Sequence, residues 1–327
     1  MRTRLSDPSR RGFLAAGAAL AGAAMTGPAA AAQPFFKRVG LPIGIQLYTL
    51  GPDAAKDLDG TLAAVAAMGY RNVELAGFLG RKPVEMRAAL DRAGLKCASA
   101  HVQARALGPD GGFDGDLDKL AEGLAAVGAV NAVMPSPRIP DRLAGRPAEG
   151  ESIGDFYRRV TGALTLHDWQ MNAAFLNEKG AVLKKAGIRI GYHNHNFEFR
   201  PLSGNSGGET TGMEVLLKET DPDVVTFEID VGWVAAAGLD PIALMQKHKG
   251  RFTMMHVKDL KAGTEPNFAL SMQPTEIGSG KLDWKRLLPA AYAAGVRGFY
   301  VEQEPPFERP RIEAAKINHD FLAGVTA

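Results

Sequence analysis

Four short apolar runs in the second half of the chain each end on a side chain that can hold a metal ion. Residues 188–191 lead into His193, Asn194 and His195, residues 224–229 into Asp230, residues 252–255 into His256, and residues 299–301 into Glu302. Imidazole and carboxylate groups are nitrogen and oxygen ligands for a divalent cation. They can act together only if the fold converges them. Runs of this length read as buried strands. Parallel strands of one sheet end on the same side, and residues two apart on a strand face the same way. His193 and His195, Glu228 and Asp230, His256 and Lys258, and Glu302 and Glu304 then form same-facing pairs. A single His or Asp at a strand end is ordinarily a hydrogen-bonded structural residue. Four such ends make a donor set, and the chain reads as a metal-dependent enzyme.

The elements that must position this set can be counted. Strand-like runs occupy 43–48, 72–75, 96–101, 129–134, 188–193, 224–230, 252–258 and 298–302. Apolar residues at spacings of three and four mark helices over 61–68, 83–93, 117–127, 169–186, 212–219, 241–248 and 282–294, with a last helix near 312–322. Several end in Gly just before the next strand, as at Gly69, Gly94, Gly187 and Gly295. Strand–helix alternation repeated eight times reads as a single-domain (β/α)₈ TIM barrel over residues 33–327. An open doubly wound sheet is the alternative. It lacks its glycine fingerprint, because Gln46, Leu47, Tyr48 and Thr49 stand after the first strand. Two long connections, 136–165 and 200–211, follow strands and are expected over the C-terminal mouth as lid or specificity loops, and a third, 261–280, follows His256 and leads into Trp284.

The first 32 residues are set apart from the fold. Ser9, Arg10, Arg11, Gly12, Phe13 and Leu14 form a twin-arginine signature, followed by a short apolar stretch, Pro28 and the alanines 29–32. This is the order of an export signal, and it predicts a folded, periplasmic protein with no membrane association after cleavage. No later run is long enough to span a bilayer. The net charge of +2 includes signal arginines, so nothing points to nucleic acid or an anionic membrane. The single cysteine, Cys97, excludes an intrachain disulfide and is expected in the core. The sequence leaves oligomeric state open and allows a homo-oligomer.

Five segments carry a resemblance. Gly191-Tyr192-His193-Asn194-His195, Asp230-Val231-Gly232-Trp233, Met255-His256-Val257-Lys258-Asp259, the stretch from Glu276 to Trp284 with its G-x-G-x-x-D-W pattern, and Val301-Glu302 resemble the successive motifs of the sugar phosphate isomerase/epimerase family of xylose-isomerase-like barrels. The resemblance spans the whole mature chain. It implies a divalent metal, commonly Mn²⁺ but also Mg²⁺, Co²⁺ or Zn²⁺, held by Glu, Asp, His and Glu from strands five to eight. Asp230, His256 and Glu302 match the last three. His193 stands where the family usually has Glu, with His195 and Glu198 as the other candidates for that ligand. It also implies proton abstraction next to a carbonyl, with Glu302 as base. A ligated His193 cannot serve as the second base. Lys258 is expected to stabilise an enediolate oxygen or to pair with Glu228.

Glu74 and His101, ending the second and third strands, are candidates for binding substrate hydroxyls, with His195 beside them. Trp233 is expected either to stack on a sugar face or to pack the barrel mouth. Asp259, of opposite parity, reads as a loop anchor, and His167, His248 and His319 as solvated. The leading function is isomerisation or epimerisation of a non-phosphorylated sugar or keto-sugar. Export and the lack of a phosphate cradle both speak against a sugar phosphate. Elimination from a 3-keto-glycoside on the same site is the alternative, and a non-catalytic sugar-binding barrel the third reading.

Overall fold

A computed structural model of the chain describes residues 33–106, 111–202 and 210–327. Gln33–Ala327 forms one compact unit. The twin-arginine segment expected over 1–32 lies outside the described residues, as does most of the 200–211 connection. Among the described residues no helix is long and apolar enough to cross a membrane.

Eight parallel strands close into a barrel, as the alternation predicts. They are β1 (Gly44–Gln46), β2 (Asn72–Leu75), β3 (Lys96–His101), β4 (Asn131–Met134), β5 (Arg189–His193), β6 (Val225–Asp230), β7 (Phe252–Val257) and β8 (Gly298–Val301). Each pairs with its sequence neighbour, and β1 pairs with β8 to close the ring. Strands buried on both faces need continuous apolar sequence, and β6 is buried at every position. Val133, Met254 and Tyr300 form an apolar cluster of their own. They sit on β4, β7 and β8, so they meet across the barrel interior.

Eight helices follow the strands: Leu58–Met68, Pro83–Ala93, Leu117–Val127, Leu166–Lys185, Gly212–Glu219, Pro241–Lys247, Trp284–Ala294 and Arg311–Gly324. Three features depart from expectation. The first strand stops at Gln46, because the Gln46 side chain accepts the Tyr48 N–H at 3.1 Å and caps a 3₁₀ turn over Leu47–Leu50. The connection after β4 contains a helix, Ile153–Gly162, capped by Ser152. The chain after β6 turns at once into the helix Val231–Ala236, with Asp230 as its N-cap.

The H-x-K-D and G-x-G-x-x-D-W segments prove to be one structure. Asp259 Oδ2 accepts the Trp284 indole N–H at 2.8 Å and the Gly278 N–H at 3.0 Å. Its Oδ1 accepts the Leu260 and Leu282 N–H groups at 2.9 and 3.3 Å. A Cβ at Gly280 would lie 2.1 Å from Asp259 Oδ1, which is why that position needs glycine. The antiparallel pair Asp259–Leu260 with Pro274–Thr275 completes the clasp. Asp259 is thus the loop anchor that its parity predicts, and it fixes the chain directly after His256 and Lys258. Cys97 is buried. His319 corrects the sequence reading: it is buried, with its ring 4.9 Å from that of Tyr70.

Candidate metal centre and active site

The C-terminal ends of β5, β6, β7 and β8 bring His193, Asp230, His256 and Glu302 together, with ligand atoms all within 4.8 Å of one another. A cation with bonds of about 2.0–2.2 Å holds its donors within about 4.4 Å, so small shifts suffice. All four side chains are buried. Asp230 is held on two sides. Its Oδ1 accepts the Trp233 N–H at 2.9 Å, and its own N–H donates to Asn194 Oδ1 at 3.1 Å. Its Oδ2 is left facing the cluster, with no hydrogen-bond donor in line and Lys258 Nζ at 2.8 Å.

A deeper layer orients the two imidazoles. His256 Nε2 lies 2.7 Å from Glu74 Oε1 and 3.0 Å from Glu228 Oε2, while its Nδ1 lies 2.9 Å from Glu302 Oε2. His193 Nδ1 lies 3.2 Å from Glu228 Oε2, and its Nε2 faces Asp230 Oδ2 at 3.9 Å. A neutral imidazole carries one N–H, and an ionised carboxylate only accepts. Glu74 and Glu228 therefore draw the N–H to His256 Nε2 and His193 Nδ1. With a cation in place of the His256 proton, the opposite nitrogens would offer lone pairs on the side of Asp230 and Glu302, the arrangement by which carboxylates orient ligating histidines. His101, 3.0 Å from Glu228 Oε2, joins this layer. The ladder shifts register between Val73 and Glu74 and between Phe227 and Glu228. Bulges of this kind re-aim side chains, and here each directly precedes one of the two orienting carboxylates.

The charge balance fits a cation. Burial opposes the charge on His256, but Glu228 and Glu302 outweigh it and hold the ring well above the ordinary histidine range. Burial likewise opposes the charge on Lys258, and Asp230, Glu302 and Glu304 hold it well above the ordinary lysine range. The acidic cluster thus draws positive charge from His256 and Lys258, a role that a divalent ion fills among the same atoms.

Several expectations are corrected. Lys258 is fully buried, does not line the cavity, and lies against Asp230, Glu302 and Glu304, with Nζ 2.7 Å from Glu302 Oε2. Its ion pairs are with these three carboxylates and not with Glu228. A Cβ at Gly232 would lie 2.9 Å from Lys258 Cγ, so the glycine leaves room for that stem. Glu74 is fully buried beside His256 and is no part of the cavity wall. Trp233 is only 3% exposed and packs the mouth, its indole N–H donating to Glu304 Oε1 at 3.1 Å. Neither is among the residues that line the cavity. Glu198 lies outside the cluster, accepting from Tyr192 and from the His195 N–H at 2.9 Å each.

His193, His195, His101, Glu302 and Glu304 line a cavity of about 490 Å³. Burial and then Lys258 lower His195 to about 3, so its ring is neutral. His101 is driven to about 9, since Glu74 and Glu228 overcome the cost of burial. Among the described residues, no Lys or Arg lines the cavity. Among their described residues, the loops expected as lids contribute only Ser136 to that wall. Residues 261–280 pack elsewhere, Asn267 bonding Asn196 at 2.9 Å and Ala269 O accepting from Arg158 at 2.7 Å. The sequence marks Glu228 and Glu304 as same-facing partners of Asp230 and Glu302, and beyond a pairing of Glu228 with Lys258 it assigns them no role. Their parity was the available signal.

Comparison with known proteins agrees with the barrel fold. The chain is 26% identical to an inosose dehydratase of Lacticaseibacillus casei over 261 residues, 73% of this chain and 82% of that protein. It is 28% identical to an inosose dehydratase of Geobacillus thermodenitrificans over 159 residues, which span 51% of that protein's length. The crystal structure of a sugar phosphate isomerase/epimerase from Parabacteroides distasonis superposes with a TM-score of 0.67 at 27% identity, covering 86% of this chain and 94% of the other. The profile of the xylose isomerase-like TIM barrel family matches residues 62–324. The chain belongs to that family.

Proposed function

We propose that this protein is a divalent-metal-dependent lyase that removes a proton next to the ketone of a non-phosphorylated sugar or cyclitol and expels a group from the following carbon. The observation that carries this reading is the convergence of His193, Asp230, His256 and Glu302 on a cavity that reaches only one of the cluster's two carboxylates, Glu302. These residues would hold the metal, which when bound polarises a carbonyl and lowers the cost of charge developing on its oxygen. Glu302 takes the proton. Although it is buried, Lys258 and His256 keep its carboxyl below the ordinary range. Glu304 is pushed the other way, by burial and by the Glu302 charge, with Lys258 opposing. Two carboxyls with divergent environments are the pattern of a base paired with an acid. Glu304 and the charged His101 are then the proton donors for a departing oxygen.

Epimerisation needs proton transfer on both faces of one carbon. Across from Glu302 stands His193, which burial and the His256 charge hold well below the ordinary histidine range. Its one N–H is turned to Glu228, and as a ligand its other nitrogen cannot take a proton. Elimination needs only one base. The dehydratases to which the chain is similar are named for this class of reaction. A described cavity wall without Lys or Arg supports a substrate without phosphate, and the twin-arginine segment carries the accompanying proposal of a periplasmic location. Isomerisation or epimerisation is the second reading, favoured by Glu304 as a further carboxylate and by the similarity to an isomerase/epimerase structure. Proton NMR in D₂O on the Mn²⁺-loaded protein with methyl 3-keto-β-glucoside separates the three readings. Enone signals with released methanol support the lyase. Deuterium incorporation with the methoxy group retained supports the epimerase. No exchange leaves a binding protein.

A further inference from the structure

The cation cluster occupies one side of the cavity. The other side is built by the opposite half of the barrel, from Tyr48 after β1, Ala76, Gly77 and Phe78 after β2, Val102 after β3 and Pro135 after β4. His101, Gln103 and Ser136 also line this half, and apart from the His101 ring the wall carries no ionised group. Tyr48 is 51% exposed although it sits in a capped turn whose neighbours Leu47 and Leu50 are buried. An aromatic left open at a cavity is a surface that a ligand can cover.

Elimination chemistry places a demand on this wall. The base removes a proton from the carbon beside the ketone, and that electron pair forms the new C=C bond. The C–O bond on the next carbon breaks, and the leaving oxygen departs with a proton. The products are a cyclic enone and an alcohol or phenol, with no net oxidation. The leaving group is therefore attached beyond the carbon that faces Glu302, and the cavity beyond Glu302 is the β1–β4 wall. If the group lost were water, as from a plain cyclitol ketone, no apolar wall would be needed. A cavity of about 490 Å³ falls in the range that holds drug-sized ligands.

We propose that the substrate is a keto-glycoside whose leaving group is aromatic or bulky and apolar, seated against Tyr48 and Phe78. This rests on the lyase reading and adds the identity of the group expelled. Tyr48 is its specificity-determining residue. A phenol, with an acidity like that of tyrosine at about 10, also leaves more readily than an aliphatic alcohol.

The test uses the Mn²⁺-loaded full chain and the unreactive pair phenyl β-glucoside and methyl β-glucoside, with affinities measured by calorimetry. Phenyl should bind about tenfold more tightly than methyl, within the range of aromatic stacking. Tyr48→Ala should reduce that ratio to about threefold or less with bound metal unchanged, and Tyr48→Phe should preserve it. Equal binding of the two glycosides, or a preference that survives Tyr48→Ala, overturns the inference. Turnover of methyl 3-keto-β-glucoside is measured in parallel. If turnover occurs without aryl preference, the lyase reading stands and this inference falls. If aryl preference occurs without turnover of any ketone, the reaction is wrong and the aryl-binding wall stands.

Discussion

Glu198→Gln should stabilise the protein at alkaline pH and leave it nearly unchanged at acid pH. Glu198 is fully buried and accepts two hydrogen bonds, from Tyr192 and from the His195 N–H. These do not compensate an ionised carboxylate. Burial, reinforced by Asp230, pushes the carboxyl from 4.5 up to about 8. Between those two values the folded protein keeps a proton that the unfolded chain has released, so stability falls as pH rises, by about 1.4 kcal/mol per unit. Above pH 8 the accumulated cost is about 5 kcal/mol. Glutamine donates from Nε2 to the Tyr192 oxygen, accepts the His195 N–H and never ionises. All other titrating groups are shared by the two proteins and cancel in the difference. With an unfolding entropy of about 2.1 cal/mol/K per residue, the variant should melt about 8 °C higher at pH 9 and within about 1 °C at pH 5. Thermal melts by circular dichroism in EDTA at both pH values read this directly. A difference that does not change with pH, or that favours wild type at pH 9, refutes the reasoning.

Glu228→Gln should weaken Mn²⁺ binding about 10- to 100-fold, because one acceptor holds the N–H sides of His193 and His256. A metal titration with circular dichroism as the folding control checks it. Asp259→Ala strips acceptors from the buried Trp284 indole and three backbone N–H groups, and should cost about 3–5 kcal/mol in urea unfolding. Cys97, whose thiol burial drives up to about 12, should resist thiol reagents in the native protein and react once it is unfolded.

The barrel was legible because its signals are local. Apolar runs of strand length alternate with amphipathic helices, and a closed parallel sheet satisfies both. The ligand cluster was legible for a related reason: parity fixes which residues share a face, and parallel strands share an end. What lay beyond the sequence depended on register and depth. The bulges before Glu74 and Glu228 are pairings between strands, so no pattern along one strand shows them. Glu74 sits near a strand end like the ligands and Trp233 in the turn of helix just beyond another, yet one lies beneath the imidazoles and the other packs the mouth. Parity cannot tell a residue at the floor from one below it. Lys258 went to Glu302 and Glu304, not Glu228, because the chain beyond His256 is pinned by the Asp259 clasp.

The convergence of His193, Asp230, His256 and Glu302 on one cation is tested most directly by metal analysis. Wild type, His193→Ala and Glu302→Ala are stripped with EDTA, reloaded with Mn²⁺ and dialysed. Wild type should retain about one ion per chain, and both variants, still folded, should bind at least about tenfold more weakly. Retention of wild-type affinity by both variants would contradict the site.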